Sequence, residues 1–451
     1  MRKRAGRIAI AGTGSGCGKT TAVCAILQAL KNRGLDVASF KCGPDYIDPM
    51  FHGEIIGAPS TNLDLYFAGE QLVRGLFLKH AAPLNVIEGA MGYYDGLAMG
   101  SAESSCWHMA RALSAPTVLV VNARGMALSA AAVVRGFQTM RSPSGIAGVI
   151  LNRVSPATYP QLKAVIEREC GIAVYGYLPT DEAYALESRH LGLITAREVE
   201  NLREKMQLLA AQAEKSIELD ALLALMRAQP EMEADLPTAK RIADVRIAVA
   251  GDRAFCFYYR DNLDLLEELG ATPVLFSPLT DAKLPECDGL YLGGGYPELY
   301  AERLSNNRSM LESVRTAVKG GLPTIAECGG FMYLTDRIAC SEMVGAIHTD
   351  CFNMQKLVRF GYAEYTSAEE SLLFEAGDAV RGHEFHHWDA SLPGEALTAT
   401  KPSGRSHACA YATDSLYAGF PQLYFRSNPK IAKRFIGKCN ERKMFREALG
   451  H

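Results

Sequence analysis

The chain has 451 residues, of which 48% are hydrophobic and 22% charged, with a formal net charge of −3. That length exceeds a single hydrophobic core and suits two or three domains of an ordinary globular protein. The near-neutral balance excludes a global field for nucleic acid or an anionic membrane surface, so anionic ligands need local lysines, arginines and backbone amides.

The opening MRKRAGRIAIAG is basic and then apolar, but the apolar part is short and runs into a glycine-rich loop. It reads as a first strand and not as a signal peptide. No apolar run reaches the roughly 18 uncharged residues of a membrane helix, so no membrane role is expected. Twelve cysteines lack paired metal-ligand spacing, and Cys17, Cys42 and Cys328 adjoin motif residues. A reducing, cytoplasmic setting is expected.

The first strand leads into GTGSGCGKTT, comprising Gly12, Thr13, Gly14, Ser15, Gly16, Cys17, Gly18, Lys19, Thr20 and Thr21. Backbone amides opening onto a helix N-terminus attract phosphate, because unpaired N–H groups and the helix dipole both favour negative charge. Lys19 is expected to reach the outer phosphates and the Thr20 hydroxyl to serve Mg²⁺. The spacing is one residue longer than the usual phosphate loop, with Thr13 where the first glycine belongs. The helix TAVCAILQALKNRG follows and stops at Gly34.

Short apolar runs then alternate with helical stretches: VASFK, LNVIEGA, PTVLVVN and IAGVILN. This pattern predicts a parallel sheet covered on both faces, an α/β fold whose ligands sit at the carboxyl ends of the strands. Asp45 and Asp48, in an expected loop, Glu88 at the end of an apolar strand, and Asp95 in a glycine-rich loop all fall at that edge. Their hard oxygens suit Mg²⁺, for which Thr20, Asp45 and Glu88 are the candidate ligands. Lys41 is a candidate for stabilising a transferring phosphoryl group.

Residues from about 195 to 238 carry helical periodicity and end in PEMEADLPTAKR, a polar, proline-containing linker. A second series follows: VRIAVAG, ATPVLFSP, CDGLYLGGG and LPTIAECGG. Two α/β domains are expected, at 1–238 and 244–445. In the second, Cys328 follows a strand and precedes Gly-Gly and a helical run, the layout of a nucleophile elbow. The helix N-terminus is expected to favour its thiolate, with Gly329 and Gly293, Gly294 and Gly295 as oxyanion donors.

The five-residue spacing before Gly-Lys-Thr resembles the dethiobiotin synthetase-like P-loop proteins, which transfer the γ-phosphate of ATP to a carboxylate. The ParA/MinD partition ATPases are similar too, but their additional lysine would fall at Gly14. KCGPDYIDPMFH, EGAMGYYDG, SRHLGL and AFCFYYRDNLDLLE, in that order, resemble the cobyrinate a,c-diamide synthase family across essentially the whole chain. The resemblance implies a P-loop domain followed by a class I glutamine amidotransferase-like domain. It also implies amidation of the a and c carboxylates of cobyrinic acid with ATP, Mg²⁺ and glutamine or ammonia. Asp45, Asp48, Glu88 and Asp95 would share metal, substrate and ammonia handling, and Tyr46, Arg124, Arg189 and His190 are candidate substrate contacts.

In that family a histidine in His-x-His-Phe, late in the chain, serves the cysteine. Here the matching stretch YAGFPQLYFRSNP has Gln422 and Tyr424 instead. Glutamine is no general base near neutral pH. His383, His386 and His387, in RGHEFHHWD, which is expected to be a loop, are the candidate replacements, with His407 an outside one. A ligase fed by free ammonia, action on a nickel tetrapyrrole, a non-catalytic nucleotide switch, and a homodimer are left open.

Overall fold

The computed structural model describes residues 1–184, 188–189, 192–193 and 202–448. Its contacts divide the chain into two units, Met1–Leu236 and Pro237–His451. The first is built on a parallel sheet of seven strands: β1 (Gly6–Gly12), β2 (Val37–Cys42), β3 (Ser60–Leu63), β4 (Leu84–Glu88), β5 (Thr117–Asn122), β6 (Ile146–Asn152) and β7 (Ala173–Leu178). They lie in the order β3-β2-β4-β1-β5-β6-β7. β1, β2 and β4 are buried along their whole length, which is why their sequences read as unbroken apolar runs. The helix α1 (Lys19–Asn32) ends as expected at Gly34, whose φ is 72°.

Register then places the chemistry. Lys41 on β2 pairs with Glu88 on β4, and Glu88 pairs with Ile10 on β1. Paired residues project to the same face of a sheet, so Lys41 and Glu88 emerge side by side next to the glycine-rich loop.

The helical stretch before the linker is two helices, Leu202–Ser216 and Leu219–Arg227. Between them Ile217 forms an antiparallel bridge with Gly176. Gly176 has φ 140°, and a Cβ there would stand 2.2 Å from the Ser216 carbonyl oxygen, so the close approach requires glycine.

The second unit contains β8 (Val245–Ala250), β9 (Ala271–Phe276), β10 (Gly289–Leu292), β11 (Thr324–Glu327), β12 (Asp350–Ser367), β13 (Ala379–Ala390), β14 (Leu397–Thr400), β15 (Ser406–Cys409), β16 (Tyr411–Ala412), β17 (Leu416–Gly419) and β18 (Gln422–Leu423). A six-stranded sheet runs β9-β8-β10-β11-β17-β16, parallel except for the edge strand β16. Alternate residues of β8 serve opposite layers. Val245, Ile247 and Val249 pack with Phe435 and Ile436 of the helix Pro429–Ala448, and Ala248 and Ala250 pack with Leu311 and Val314.

A further, largely antiparallel sheet joins β12 to β13, β14 to β12 and β18 to β13. The segment RGHEFHHWD, expected as a loop, is therefore the middle of β13. Its run of polar side chains hides a strand because Gly382, His383, Glu384 and His386 are buried there. Among the described residues no helix is long and apolar enough to cross a membrane. All twelve cysteines are free thiols.

Candidate active sites

The glycine-rich loop fits its backbone tightly at two points. A Cβ on Gly12 would lie 2.3 Å from Cys17 Sγ, and one on Gly18, where φ is 99°, would lie 2.0 Å from Asn152 Nδ2. Asn152, at the end of β6, donates to the Cys17 carbonyl at 2.9 Å and so pins the loop from a distant strand. Gly14 and Gly16 face open space, Ser15 is exposed, and the Thr13 amide donates to Val120 O at 3.3 Å. Lys19 Nζ donates to Gly14 O at 2.9 Å, and Thr20 and Thr21 open the first turn of α1. The result is an exposed arc of backbone at a helix N-terminus, with a cation over it, suited to phosphate.

Beside that arc the acids converge. The Thr20 hydroxyl donates to Glu88 Oε1 at 2.6 Å. Lys41 Nζ donates to the same oxygen at 3.0 Å, forms a short bond with Asp48, and lies 3.8 Å from Asp45 Oδ2. Asp48 belongs to a short helix, Ile47–Phe51, and not to a loop. Asp45 Oδ1 accepts the amides of Ile47 and Asp48 at the start of that helix.

Burial and the neighbouring Asp48 carboxylate push Glu88 up to about 7 and Asp45 up to about 6. Burial also opposes the charges of Asp48 and Lys41, but their mutual attraction wins, lowering the first and raising the second. Thr20, Asp48 and Glu88 bring hydroxyl and carboxylate oxygens, the donor types that Mg²⁺ prefers, into one cluster around the Lys41 ammonium, with Asp45 at its margin.

Asp95 is exposed, and its Oδ2 accepts the Gly92 amide at 2.7 Å within its own turn. Tyr46 is buried ahead of the helix Ile47–Phe51, and Arg124 is exposed just beyond β5, on the loop edge of the sheet. The Arg189 side chain and His190 lie outside the described residues. His52, Ser39 and Asn152 escaped the sequence reading. His52 closes KCGPDYIDPMFH four residues after Asp48, a spacing that returns a side chain to the same helix face.

In the second unit Cys328 connects β11 to the helix Gly329–Leu334, with φ 50° and ψ −104°. A non-glycine residue held at positive φ is the strained geometry of a nucleophile elbow. Its amide donates to Gly419 O at 2.7 Å. A Cβ on Gly329 would stand 3.2 Å from the Gly295 amide nitrogen, so Gly295 and Gly329 face each other as candidate oxyanion donors. The Gly293 amide instead donates to Tyr258 Oη at 2.8 Å, and Gly294 O accepts from Cys256 and Phe257. Burial, and then the Glu298 carboxylate, push the Cys328 thiol well up. The thiolate expected from the helix terminus is thus not favoured, because desolvation outweighs the Gly329 amide.

Gln422 is buried on β18 and pairs with His383 of β13. His383 Nδ1 lies 2.9 Å from Tyr259 Oη, and burial pushes this imidazole down to about 3. His386 Nδ1 faces Trp388 O at 2.6 Å and Nε2 faces Glu384 Oε2 at 3.0 Å. Both His386 nitrogens are thus engaged within the sheet, one by a backbone carbonyl and one by a carboxylate. His407 Nε2 approaches the other Glu384 oxygen at 3.3 Å, and Arg359 Nε lies 3.3 Å from Oε2. Glu384 is thereby a fully enclosed anion. His387 follows, half-buried, and Tyr424 donates to Asp261 Oδ2 at 2.8 Å.

Residues 8–194 match the CobQ/CobB/MinD/ParA nucleotide binding domain family, and residues 246–416 the CobB/CobQ-like glutamine amidotransferase domain. The chain is 40% identical over 445 residues to a cobyrinate a,c-diamide synthase of Caldanaerobacter subterraneus, covering 96% of this chain and 98% of that one. It is 40% identical over 450 residues to the synthase of that name from Priestia megaterium, covering 97% and 98%. To its Salmonella typhimurium counterpart it is 40% identical over 443 residues, covering 95% and 96%. The first unit carries a nucleotide-binding domain, the second a glutamine amidotransferase domain, and the chain belongs to the cobyrinate a,c-diamide synthase family.

Proposed function

We propose that this protein amidates the a and c carboxylates of cobyrinic acid at the expense of ATP, with residues 1–238 forming the ligase half. The observation that carries the reading is the convergence of Thr20, Glu88, Lys41 and Asp48 beside the phosphate loop. A carboxylate is a poor electrophile. Its oxygen attacks the γ-phosphorus, ADP leaves, and the resulting acyl phosphate has a good leaving group. Ammonia then attacks the acyl carbon, inorganic phosphate departs, and the nitrogen loses a proton.

The loop amides and Lys19 hold the phosphates, and Lys41 offsets negative charge where the phosphoryl group is transferred. Mg²⁺ held by Thr20, Glu88 and the Asp45–Asp48 pair would neutralise phosphate charge and orient the transferring group. Asp48 stays ionised through Lys41. Arg124, at the sheet edge, is available to a substrate carboxylate.

Ammonia is the nitrogen nucleophile, and residues 244–445 retain only part of the machinery that would release it from glutamine. The Cys328 elbow and its facing amides are present, but Gln422 stands where a base belongs and the thiol is held protonated. Free ammonium is therefore the effective donor. The test incubates the purified chain with ATP, Mg²⁺ and cobyrinic acid, offering ammonium or glutamine, with a nickel tetrapyrrole as competitor. Diamide with ammonium is expected. Nucleotide binding with no amidation of any tetrapyrrole acid would leave a nucleotide switch in its place.

A further inference from the structure

His52 is fully buried, and the reaction above gives it no task. Its Nδ1 lies 2.9 Å from Ser39 Oγ on β2, and its Nε2 lies 3.4 Å from Glu88 Oε2. The two Glu88 oxygens are divided between different surroundings. Oε1 faces Thr20 and Lys41, on the nucleotide side. Oε2 is buried and has no hydrogen-bond partner among the described residues, and His52 Nε2 is in the same condition.

We propose that Ser39 and His52 form an internal brace that orients Glu88, making both of them positioning residues for the metal–nucleotide site. This rests on the reading of Glu88 as a magnesium ligand. As a magnesium ligand Glu88 is a carboxylate whose inner oxygen only accepts, so Nε2 carries the imidazole proton and points it at Oε2. Nδ1 then keeps its lone pair, which the Ser39 hydroxyl satisfies by donating to it. The opposite tautomer would set one lone pair against another inside a dry interior. Ser39 thus selects the tautomer, the tautomer holds the inner oxygen of Glu88, and the outer oxygen is left aimed at Thr20. A neutral imidazole does this without adding charge to a cluster that already contains Lys41. Partners of this kind, behind the ligands, typically change metal affinity by about 10- to 100-fold when removed.

The test measures binding of a non-hydrolysable ATP analogue to the full chain by calorimetry, with Mg²⁺ titrated and with Mg²⁺ chelated. His52→Leu should weaken Mg²⁺-dependent binding by about 10-fold and leave metal-free nucleotide binding unmoved. His52→Gln, whose amide can donate to Glu88 and accept from Ser39, should restore most of the loss. Ser39→Ala should weaken Mg²⁺ binding by about threefold, and it carries the test if the buried leucine prevents folding. Ammonium-dependent turnover should lose kcat with the corrinoid KM unchanged.

Parent-like Mg²⁺ dependence in His52→Leu, or equal losses in the leucine and glutamine variants, overturns the brace. Glu88→Gln separates the two ideas. If it abolishes Mg²⁺ dependence while His52→Leu and Ser39→Ala keep the parent's Mg²⁺ affinity, only the brace fails. If it changes nothing, the metal reading of Glu88 fails and the brace with it.

Discussion

Gln422 lies directly across from His383 in the β13–β18 ladder, and its Nε2 stands 2.6 Å from where a Cβ on Gly294 would be. The side chain therefore occupies the wall of the Gly293–Gly295 loop, at the position where the resemblance of YAGFPQLYFRSNP to the family implies a histidine. Restoring that histidine supplies a base beside the elbow. Gln422→His is expected to raise glutamate release from glutamine by at least about 10²-fold, the usual reach of a positioned general base. The gain should vanish in a Gln422→His, Cys328→Ala double variant. Unchanged glutamate release would mean that position 422 does not limit the hydrolysis.

Lys41 is enclosed by Asp48, Glu88 and Asp45, and both Lys41 and Glu88 are buried. Lys41→Met removes the cation and leaves like charges facing one another in a poorly solvated place. Breaking a buried ion pair from one side typically costs about 3–5 kcal/mol. The first unit of the variant should unfold at lower denaturant in chelator, and saturating Mg²⁺ with nucleotide should recover part of the loss. Equal denaturation midpoints for parent and variant in chelator would show that the lysine does not hold the acids together.

Gly14 and Gly18 carry different constraints within one loop. Gly18 has φ 99° and would press a Cβ into Asn152, whereas Gly14 has nothing within 4 Å. Gly18→Ala should lower both stability and nucleotide affinity. Gly14→Ala should leave the melting temperature unmoved and weaken nucleotide binding by about 10-fold, about 1.4 kcal/mol, because the new methyl group occupies space that a phosphate approaches. Full affinity in Gly14→Ala would place the phosphates elsewhere on the loop.

The ligase half was largely legible because parallel strands buried on both faces advertise themselves as apolar runs, and glycines mark where backbone must approach a ligand. Asp48 and Glu88 were found in this way. The brace partners were not, because a buried serine and histidine leave no period in the sequence. Their meaning comes from β2 and β4 lying side by side, a long-range pairing. The antiparallel sheet was missed for a related reason. RGHEFHHWD reads as polar, yet Glu384 is buried because His386, His407 and Arg359, from β13, the β14–β15 hairpin and β12, surround its carboxylate. Asp95, prominent in its motif, binds its own turn, which pattern alone does not separate from a catalytic acid.

Glu327, immediately before Cys328, links elbow geometry to pH. It is buried, its Oε1 accepts the Leu423 amide at 2.9 Å and its Oε2 the Tyr291 hydroxyl at 2.9 Å. Burial nonetheless pushes it up from 4.5 to about 7. Between those values the folded chain keeps a proton that the unfolded chain has released, so this group's stabilising contribution is complete below about 4.5 and lost as pH rises through 7. Glu327→Gln keeps an amide in place of the protonated acid and removes the titration. Relative to the parent, the variant should gain stability between pH 5 and pH 8, by about 3 kcal/mol at most, since each pKa unit is worth about 1.4 kcal/mol. Urea unfolding of both proteins across that range reads the difference directly. A stability difference that stays flat with pH would mean that Glu327 is ionised in the folded protein throughout. The hydrogen bonds from Leu423 and Tyr291 would then outweigh its burial.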